Sequence, residues 1–456
     1  MLLPKAGGAR NRSPIRKLTC ERPGCAELGV RQSLIVIVLI LIFGDAISDL
    51  DTDTTEQADL RGGCSPWFSG TSFVRRPFTQ DTRCDVLIVG CGITGSLVAE
   101  ELTRHGLDIV LIDRELPGRG STAASTAMLL WEIDRSLVEL TNLYGFERAV
   151  RAYRASYQAV HGLKALVQRL GLPCEMRDKD SLYLAAGESA KDLIEEHVLR
   201  ERARLPGAFL DHPRLLSEYD IARAGALLSP GSADADPLQL ASGLLKIAVG
   251  RGARLFEGEA VGYDSAAHRV GVQMKDGGTI EARHVVLATG YVMPDIVHTK
   301  VQTPSSSWAV ATRPQPGNIW RDGALIWEDS KDYLYARSTT AGRIIIGGED
   351  SDEIIDPDTR DALIPAKTQA LIKKLAALWP RAEPDVEFSW AGTFDTTSDG
   401  LPLIGPVPQH RGIYAAYGYG GNGITFSYMA AQLICGAIAG EHAALLDDFA
   451  LDRDGT

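Results

Sequence analysis

Three glycines and an acid carry the clearest chemical signal in this chain of 456 residues. Gly90, Gly92 and Gly95 follow the apolar run 86–89, and Asp113 closes a second apolar run 18 positions after Gly95. That spacing permits a tight turn, close approach of backbone to a pyrophosphate, and close packing of the following helix on its strand. The open amides of a first helical turn, with the helix dipole, attract phosphate. A carboxylate at Asp113 is placed to accept hydrogen bonds from ribose hydroxyls. The expectation is a strand–turn–helix–strand unit holding an adenine dinucleotide.

The elements around the motif agree with it. Residues 94–104 have helical spacing of Leu97, Ala99 and Leu102, and Gly106 suits the left-handed residue that ends a helix. Cys91 reads as a small residue in a crowded turn. Downstream, 135–145, 146–171 and 189–205 read as helices, the second with a stripe of Val150, Tyr153, Tyr157, Val160, Leu163 and Leu166. A strand is expected at 181–185. Pro237 opens a helix reaching Gly250, followed by short strands at 254–257 and 260–263 and by a hairpin, 270–274 with 279–282, turned by Asp276, Gly277 and Gly278. A buried strand at 284–288 leads into Thr289 and Gly290. Further strands are expected at 308–313, 333–338, 343–347 and 386–393, with a helix over 360–378. A second triplet, Gly418, Gly420 and Gly423, lies between a strand at 413–417 and a helix at 424–438. No strand with a terminal acid follows that helix, so the triplet reads as a helix N-terminus facing developing negative charge rather than a second dinucleotide site.

Composition sets outer bounds. Forty-seven basic against 59 acidic residues give a net charge of −12, which argues against a nucleic-acid partner and against an anionic membrane surface. Seven cysteines, at 20, 25, 64, 84, 91, 174 and 435, form no CxxC pair and suit a reducing compartment, so a cytoplasmic location is expected. Cys20 and Cys25 lie before the nucleotide unit, the wrong place for a redox pair. Seven Lys or Arg precede ten consecutive apolar residues at 34–43. As a helix that run reaches about 15 Å, half of a bilayer core of about 30 Å. It reads either as a targeting segment or peripheral anchor, the one place for membrane association, or as an extension outside the folded protein. No zinc spacing, GxSxG or GKS motif is present, and no metal site is expected.

Beside the first unit stand GSTAAST at 120–126, LATGY at 287–291, IIIGGED at 344–350, WAGTFDTTSDGLPLIG at 390–405 and YGYGGNGI at 417–424. In this combination the chain resembles the D-amino-acid-oxidase (DAO) family of FAD-dependent oxidoreductases, which includes sarcosine and glycine oxidases, over roughly 85–439. The resemblance implies an α/β fold, more fully an α+β two-domain flavoprotein. Its Rossmann-like FAD-binding domain would comprise 81–150, 236–300 and 395–456. A substrate domain on a large mixed β-sheet would comprise 151–235 and 301–394, after an extension over 1–80 expected to be poorly ordered. By the same resemblance Gly90, Gly92, Ile93, Thr94 and Gly95 face the pyrophosphate, and Asp113 with Arg114 the ribose. Ser121, Thr122 and Ser125 take the ribityl and isoalloxazine region, and Val261 the adenine. Thr289 and Gly290 close over the nucleotide, and Gly421, Asn422, Gly423, Ile424 and Thr425 hold the pyrimidine edge of the flavin.

The family's reaction implies a small amine or amino-acid substrate dehydrogenated next to nitrogen, an imine hydrolysed by water, and oxygen or another electron acceptor. The departures concern the substrate. Glycine-oxidase-like members carry an Arg soon after WxG, where this chain has Thr393 and Phe394. Arg337 is the expected replacement as a bidentate carboxylate partner, the other reading being a structurally paired Arg. Thr425 stands where sarcosine oxidases have Lys, and no Cys lies between 175 and 434, where some relatives attach flavin, so FAD is expected to be noncovalent. Tyr333, Tyr335, Trp308, Trp390 and Tyr419 read as an aromatic pocket or as core. Glu132 and Asp134 read as a substrate-ammonium site or as caps. The rival functions are an NAD(P)H-linked flavin reductase or dehydrogenase, and a flavin-carrying assembly or peripheral membrane protein without catalysis.

Overall fold

The computed structural model describes residues 60–68, 76–265, 268–328, 333–354 and 356–453. The apolar run 34–43 lies outside them. Its strands form two sheets. The first contains, in spatial order, β17 (Leu403–Pro406), β18 (Ile413–Tyr417), β11 (Thr279–Leu287), β2 (Thr82–Val89), β3 (Ile109–Asp113) and β8 (Arg254–Glu257), with β10 (Val270–Met274) on β11 and β9 (Ala260–Ser265) on β10. The second runs β1 (Arg61–Gly63), β16 (Val386–Thr397), β12 (Gln302–Thr312), β15 (Ile344–Ser351), β14 (Leu334–Ser338), β13 (Leu325–Glu328), β5 (Arg177–Leu184), β7 (Gly225–Asp234) and β4 (Met128–Leu129), with β6 (Ala208–Asp211) on β7. Both an α/β nucleotide layer and a large mixed sheet are present, as expected.

In the first sheet β18, β11, β2, β3 and β8 are mutually parallel. Covered on both faces, such strands must be apolar throughout. Val86, Leu87, Ile88, Val110, Leu111, Ile112, Val285 and Val286 are accordingly all buried. The helix Ile93–Arg104 inserts Leu97, Val98 and Leu102 against this sheet and packs on the helices Pro237–Gly250 and Gly423–Ile438. The helix Phe146–Leu170 buries Val150, Tyr153, Val160, Leu163 and Leu166 of its expected stripe, Tyr157 only partly, and ends at Gly171 in the left-handed conformation. One face of the second sheet is closed by the helix Ile364–Leu378, whose Leu371, Leu375 and Leu378 join Trp308, Trp320 and Trp379.

Several elements differ from expectation for local reasons. The helix expected over 360–378 is two, Pro357–Ala362 and Ile364–Leu378, because Pro365 lacks an amide and forces a new start. Strand β7, unread in the sequence, contains Gly225, Pro230 and Gly231; its pairing with β5 shifts register between Lys179 and Ser181, so Pro230 and Gly231 bulge out of the ladder. The segments expected at 279–282 and 284–288 are one strand, β11. Within the expected N-terminal extension, β1 pairs with β16, Arg61 opposite Gly392.

Candidate active site

The parallel strands all point their C-terminal ends at one cavity of about 660 Å³, where α/β sheets bind ligands. Val89 of β2, Asp113 of β3, Ala288 after β11 and Tyr417 of β18 all line it. The turn after β2 is crowded: Gly90 has φ +101°, and a Cβ there would lie 2.2 Å from the carbonyl oxygen of Ala288. The helix that follows has no side-chain cap at Gly92, so among the described residues its first-turn amides, apart from that of Ile93, which Thr122 takes, are open to a ligand. The helix Gly423–Ile438 likewise lacks a side-chain cap.

Segments distant in sequence are tied together around this cavity by specific bonds. The Ile93 amide donates to Thr122 Oγ1 at 3.0 Å, joining the glycine turn to the GSTAAST segment. Thr94 Oγ1 and Ser427 Oγ are 2.8 Å apart, joining it to the last long helix. The Gly421 amide donates to Asp134 Oδ2 at 2.7 Å, Thr425 Oγ1 donates to the Leu130 carbonyl at 2.9 Å, and Asn422 Nδ2 donates to the Glu132 carbonyl. Asp134 thus anchors the final glycine turn. Buried Glu132 accepts from Ser181 Oγ and lies 3.9 Å from Arg200, which makes it part of a core network.

Asp113 accepts the Cys91 amide at 2.6 Å through Oδ2 and the Glu115 amide at 3.0 Å through Oδ1. Each oxygen keeps a lone pair for a hydroxyl. Burial pushes the carboxyl up to about 6 against those amides and Arg114, which hold it down. Cys91 is fully buried, and burial raises its thiol further above its usual range, so it fills space as expected.

Of the expected cofactor residues, Gly90, Gly92, Ile93, Thr94, Asp113, Arg114, Ser121, Thr122, Ser125, Val261, Thr289, Gly290, Gly421, Asn422, Gly423 and Ile424 line the cavity. Gly95 and Thr425 stand behind the wall. The wall is backbone at Gly90, Gly92, Gly290, Gly421 and Gly423, and a Cβ on Gly423 would meet nothing within 4 Å. Trp327, also in the wall, keeps a buried indole N–H with no acceptor among the described residues. A long cavity with glycine walls, two uncapped helix starts and a ribose-ready carboxylate fits FAD.

The second sheet supplies the other end: Ser307 of β12, Trp327 of β13, Tyr335 of β14 and Asp350 of β15, with Tyr333, Phe394 and Tyr419. Trp327 stacks on Tyr183 at 3.8 Å between ring centroids, and Tyr333 and Tyr335 are 5.5 Å apart. Burial raises the hydroxyls of Tyr335 and Tyr419 above their usual range, so both remain donors at neutral pH. Trp308 and Trp390 also line the cavity, while their indoles donate to the carbonyls of Arg360 and Ala124.

Arg337 does not take the place expected of it. It lies outside the cavity wall, only 3 % exposed, and donates through Nη1 to the carbonyls of Thr126, Ala127 and Ala235 and through Nε to that of Ser338. Asp234 lies 3.5 Å from its Nη2. With its donors engaged by backbone, Arg337 clamps the chain after GSTAAST and offers no fork to a carboxylate. Conversely, Asp350, Ser307 and Trp327 were not singled out in the sequence. The signal for Asp350 was present: strand alternation puts it on the face opposite Glu349.

The comparisons with known proteins agree with this geometry. A sequence model of the DAO family, described as FAD dependent oxidoreductase, matches residues 85–437. Glycine oxidase of Geobacillus kaustophilus (strain HTA426) is 27% identical over 391 residues, covering 81% of this chain and 97% of that protein. Gamma-glutamylputrescine oxidoreductase of Escherichia coli (strain K12) is 24% identical over 405 residues, covering 85% and 91%. The crystal structure of glycine oxidase from Geobacillus kaustophilus superposes with a TM-score of 0.70 at 25% identity, covering 82% of this chain and all of the other. L-proline dehydrogenase from P. horikoshii shares the fold, with a TM-score of 0.67 at 19% identity over 82% and 98% of the two chains. With most of its length matched and its scattered turns closing around one cofactor-shaped cavity, the chain belongs to the DAO family of FAD-dependent oxidoreductases.

Proposed function

We propose that this protein dehydrogenates the carbon next to nitrogen in a small amine or amino acid, giving an imine that water hydrolyses, with oxygen or another acceptor taking the electrons. The observation that carries the reading is the joining, in one cavity, of a dinucleotide cradle and a chamber walled by Trp327, Tyr333, Tyr335 and Tyr419. When bound, FAD supplies the two-electron acceptor for a hydride. The chain's own residues need only bind, orient and dry the donor carbon. The ring walls exclude water and lower the local dielectric, which favours the neutral amine that can release a hydride. The partly buried Tyr335 and the buried Tyr419 offer hydroxyl oxygens that can accept from the amine N–H, fixing its direction while leaving the lone pair free. The names of two relatives, a glycine oxidase and a gamma-glutamylputrescine oxidoreductase, support an amine or amino-acid substrate.

In this reading the residues facing the cavity from Gly90 to Thr94, with Asp113, Arg114, Ser121, Thr122, Ser125, Val261, Thr289, Gly290 and 421–424, hold FAD without a covalent bond. Anaerobic mixing of the yellow holoprotein with amines and amino acids tests the function. Loss of the flavin absorbance with at least one of them is the expected result; an unchanged spectrum with all of them, together with reduction by NADPH, overturns it.

A further inference from the structure

The substrate end of the cavity has one-sided charge. Just before its last residue β15 carries two adjacent acids that part company. Glu349 pairs with Lys367 at 3.3 Å and Lys374 at 2.6 Å, both on the helix Ile364–Leu378. Asp350 lines the cavity. Its carboxylate takes a hydrogen bond from the Ser307 hydroxyl, whose Oγ is 3.5 Å from Tyr335 Oη, and among the described residues no cation forms an ion pair with it. Asp350 is exposed toward the cavity; desolvation by the surrounding walls pushes its carboxyl up to about 6, the negative charge of Asp134, another residue of the wall, adds to the rise, and Lys367 and Lys374, both bonded to Glu349, pull the other way.

No Arg or Lys among the described residues lines this end; Arg360 lies behind the wall, donating through Nη1 to Thr393 Oγ1 at 2.7 Å. Among the described residues lining the cavity, Arg114 and Arg119 are the only Arg or Lys, and both belong to the segment that follows β3 at the ribose end. Thr393 and Phe394 occupy the wall after Trp390, and Arg337 is engaged by carbonyls behind it. An α-carboxylate placed here would exchange water for a wall with no Arg or Lys among its described residues and would face Asp350. A cation would meet the reverse: a carboxylate without an ion-pair partner and the faces of Trp327, Tyr333 and Tyr335.

We infer, granted the amine-dehydrogenating role above, that this end of the cavity selects amines carrying a second ammonium group, as in α,ω-diamines, over α-amino acids, with Asp350 as the group that binds the distal ammonium. The reacting nitrogen is neutral at the flavin, and the distal nitrogen stays charged on Asp350. Chain length between the two then sets specificity, because both ends are fixed by the protein.

The test compares 1,4-diaminobutane, n-butylamine, glycine and proline as reductants of the holoprotein's flavin under anaerobic conditions, in wild type and in Asp350→Asn. The diamine and the monoamine have the same carbon chain and differ in the distal ammonium. The expected result is half-saturation by the diamine at a concentration at least tenfold below that of n-butylamine and of either amino acid, with the diamine-to-monoamine advantage lost in Asp350→Asn while the flavin content of the protein is kept. Equal half-saturation by diamine and monoamine, tighter binding of the amino acids, or an advantage that survives in Asp350→Asn overturns the inference and leaves amine dehydrogenation standing. Reduction by none of the four, nor by a wider amine panel, overturns both. If Asp350→Asn does not fold, the wild-type comparison of diamine with monoamine decides alone.

Discussion

A Cβ on Gly95 would lie 1.9 Å from the carbonyl oxygen of Gly90, so the helix after β2 can approach its own turn only because that side chain is missing. At Gly92 the nearest atom to a Cβ is Thr122 Oγ1 at 3.1 Å, a group able to shift. Gly95→Ala is therefore expected to destabilise the apoprotein by about 1–3 kcal/mol or more, as overpacking against backbone does, and Gly92→Ala by less. Thermal unfolding of the two apo variants checks the order; equal midpoints would show that the turn yields.

Asp113 gives a prediction in pH. Its carboxyl sits near 6, raised by burial, and the charged form is the better acceptor for ribose hydroxyls. Affinity of the apoprotein for FAD should hold above about pH 7 and weaken as pH falls through 6. Asp113→Asn should weaken binding about tenfold to a hundredfold, the worth of a charged hydrogen bond of about 1.5–3 kcal/mol, and should remove this step from the pH profile. Quenching of FAD fluorescence on titration with apoprotein measures both.

Asp395 predicts the pH dependence of stability. It is 1 % exposed, accepts from Gln302 Nε2, and burial raises its carboxyl from 3.8 to about 7. The folded chain binds this proton more tightly than the unfolded one does. Its contribution is therefore fully present below about pH 4 and is lost as pH rises through about 7. Asp395→Asn should flatten the fall of the apoprotein's thermal midpoint between about pH 4 and 7, and an unaltered slope would assign the fall to other groups.

Arg337 predicts a structural phenotype. Its removal leaves the carbonyls of Thr126, Ala127 and Ala235 and part of the Asp234 charge unmatched in the interior. Arg337→Ala is expected to cost about 3–5 kcal/mol of stability, as breaking a buried charge partnership does. The measured loss should be in unfolding midpoint and flavin retention, with no selective rise in half-saturation for carboxylate-bearing substrates over plain amines.

What could be read in the sequence was what is periodic or sterically enforced. The run 86–89, the glycines after it and Asp113 state a strand, a turn and a ribose acceptor in residues that have few other uses. The role of the short hydroxyl-rich segment 120–126 was legible through family resemblance alone, and the final glycine turn read only as a helix N-terminus, since neither spacing nor polarity says that Thr122 meets Ile93 or that Thr94 meets Ser427. β7 was hidden because Pro230 and Gly231 are poor residues for a strand interior, and only its pairing partner shows that they bulge. Arg337 was misplaced for a related reason: a strand pattern gives its face but not the three carbonyls brought to it by residues 126, 127 and 235. Trp327 draws its meaning from neighbours on other strands, and for Asp350 alternation gives the face while the neighbours that make it a cavity wall come from other strands.

The first strand described, β1, pairs with β16, and the first glycine turn bonds to the helix that carries the last one. Such pairings join segments more than 300 residues apart, so the order in which the ribosome delivers residues matters. The nucleotide crevice has no far wall until Ser427 and its helix emerge, and a nascent chain must hold its parallel strands open until then. Cofactor capture is thus a late event in biogenesis, and the interval before it is when this protein most needs protection from aggregation.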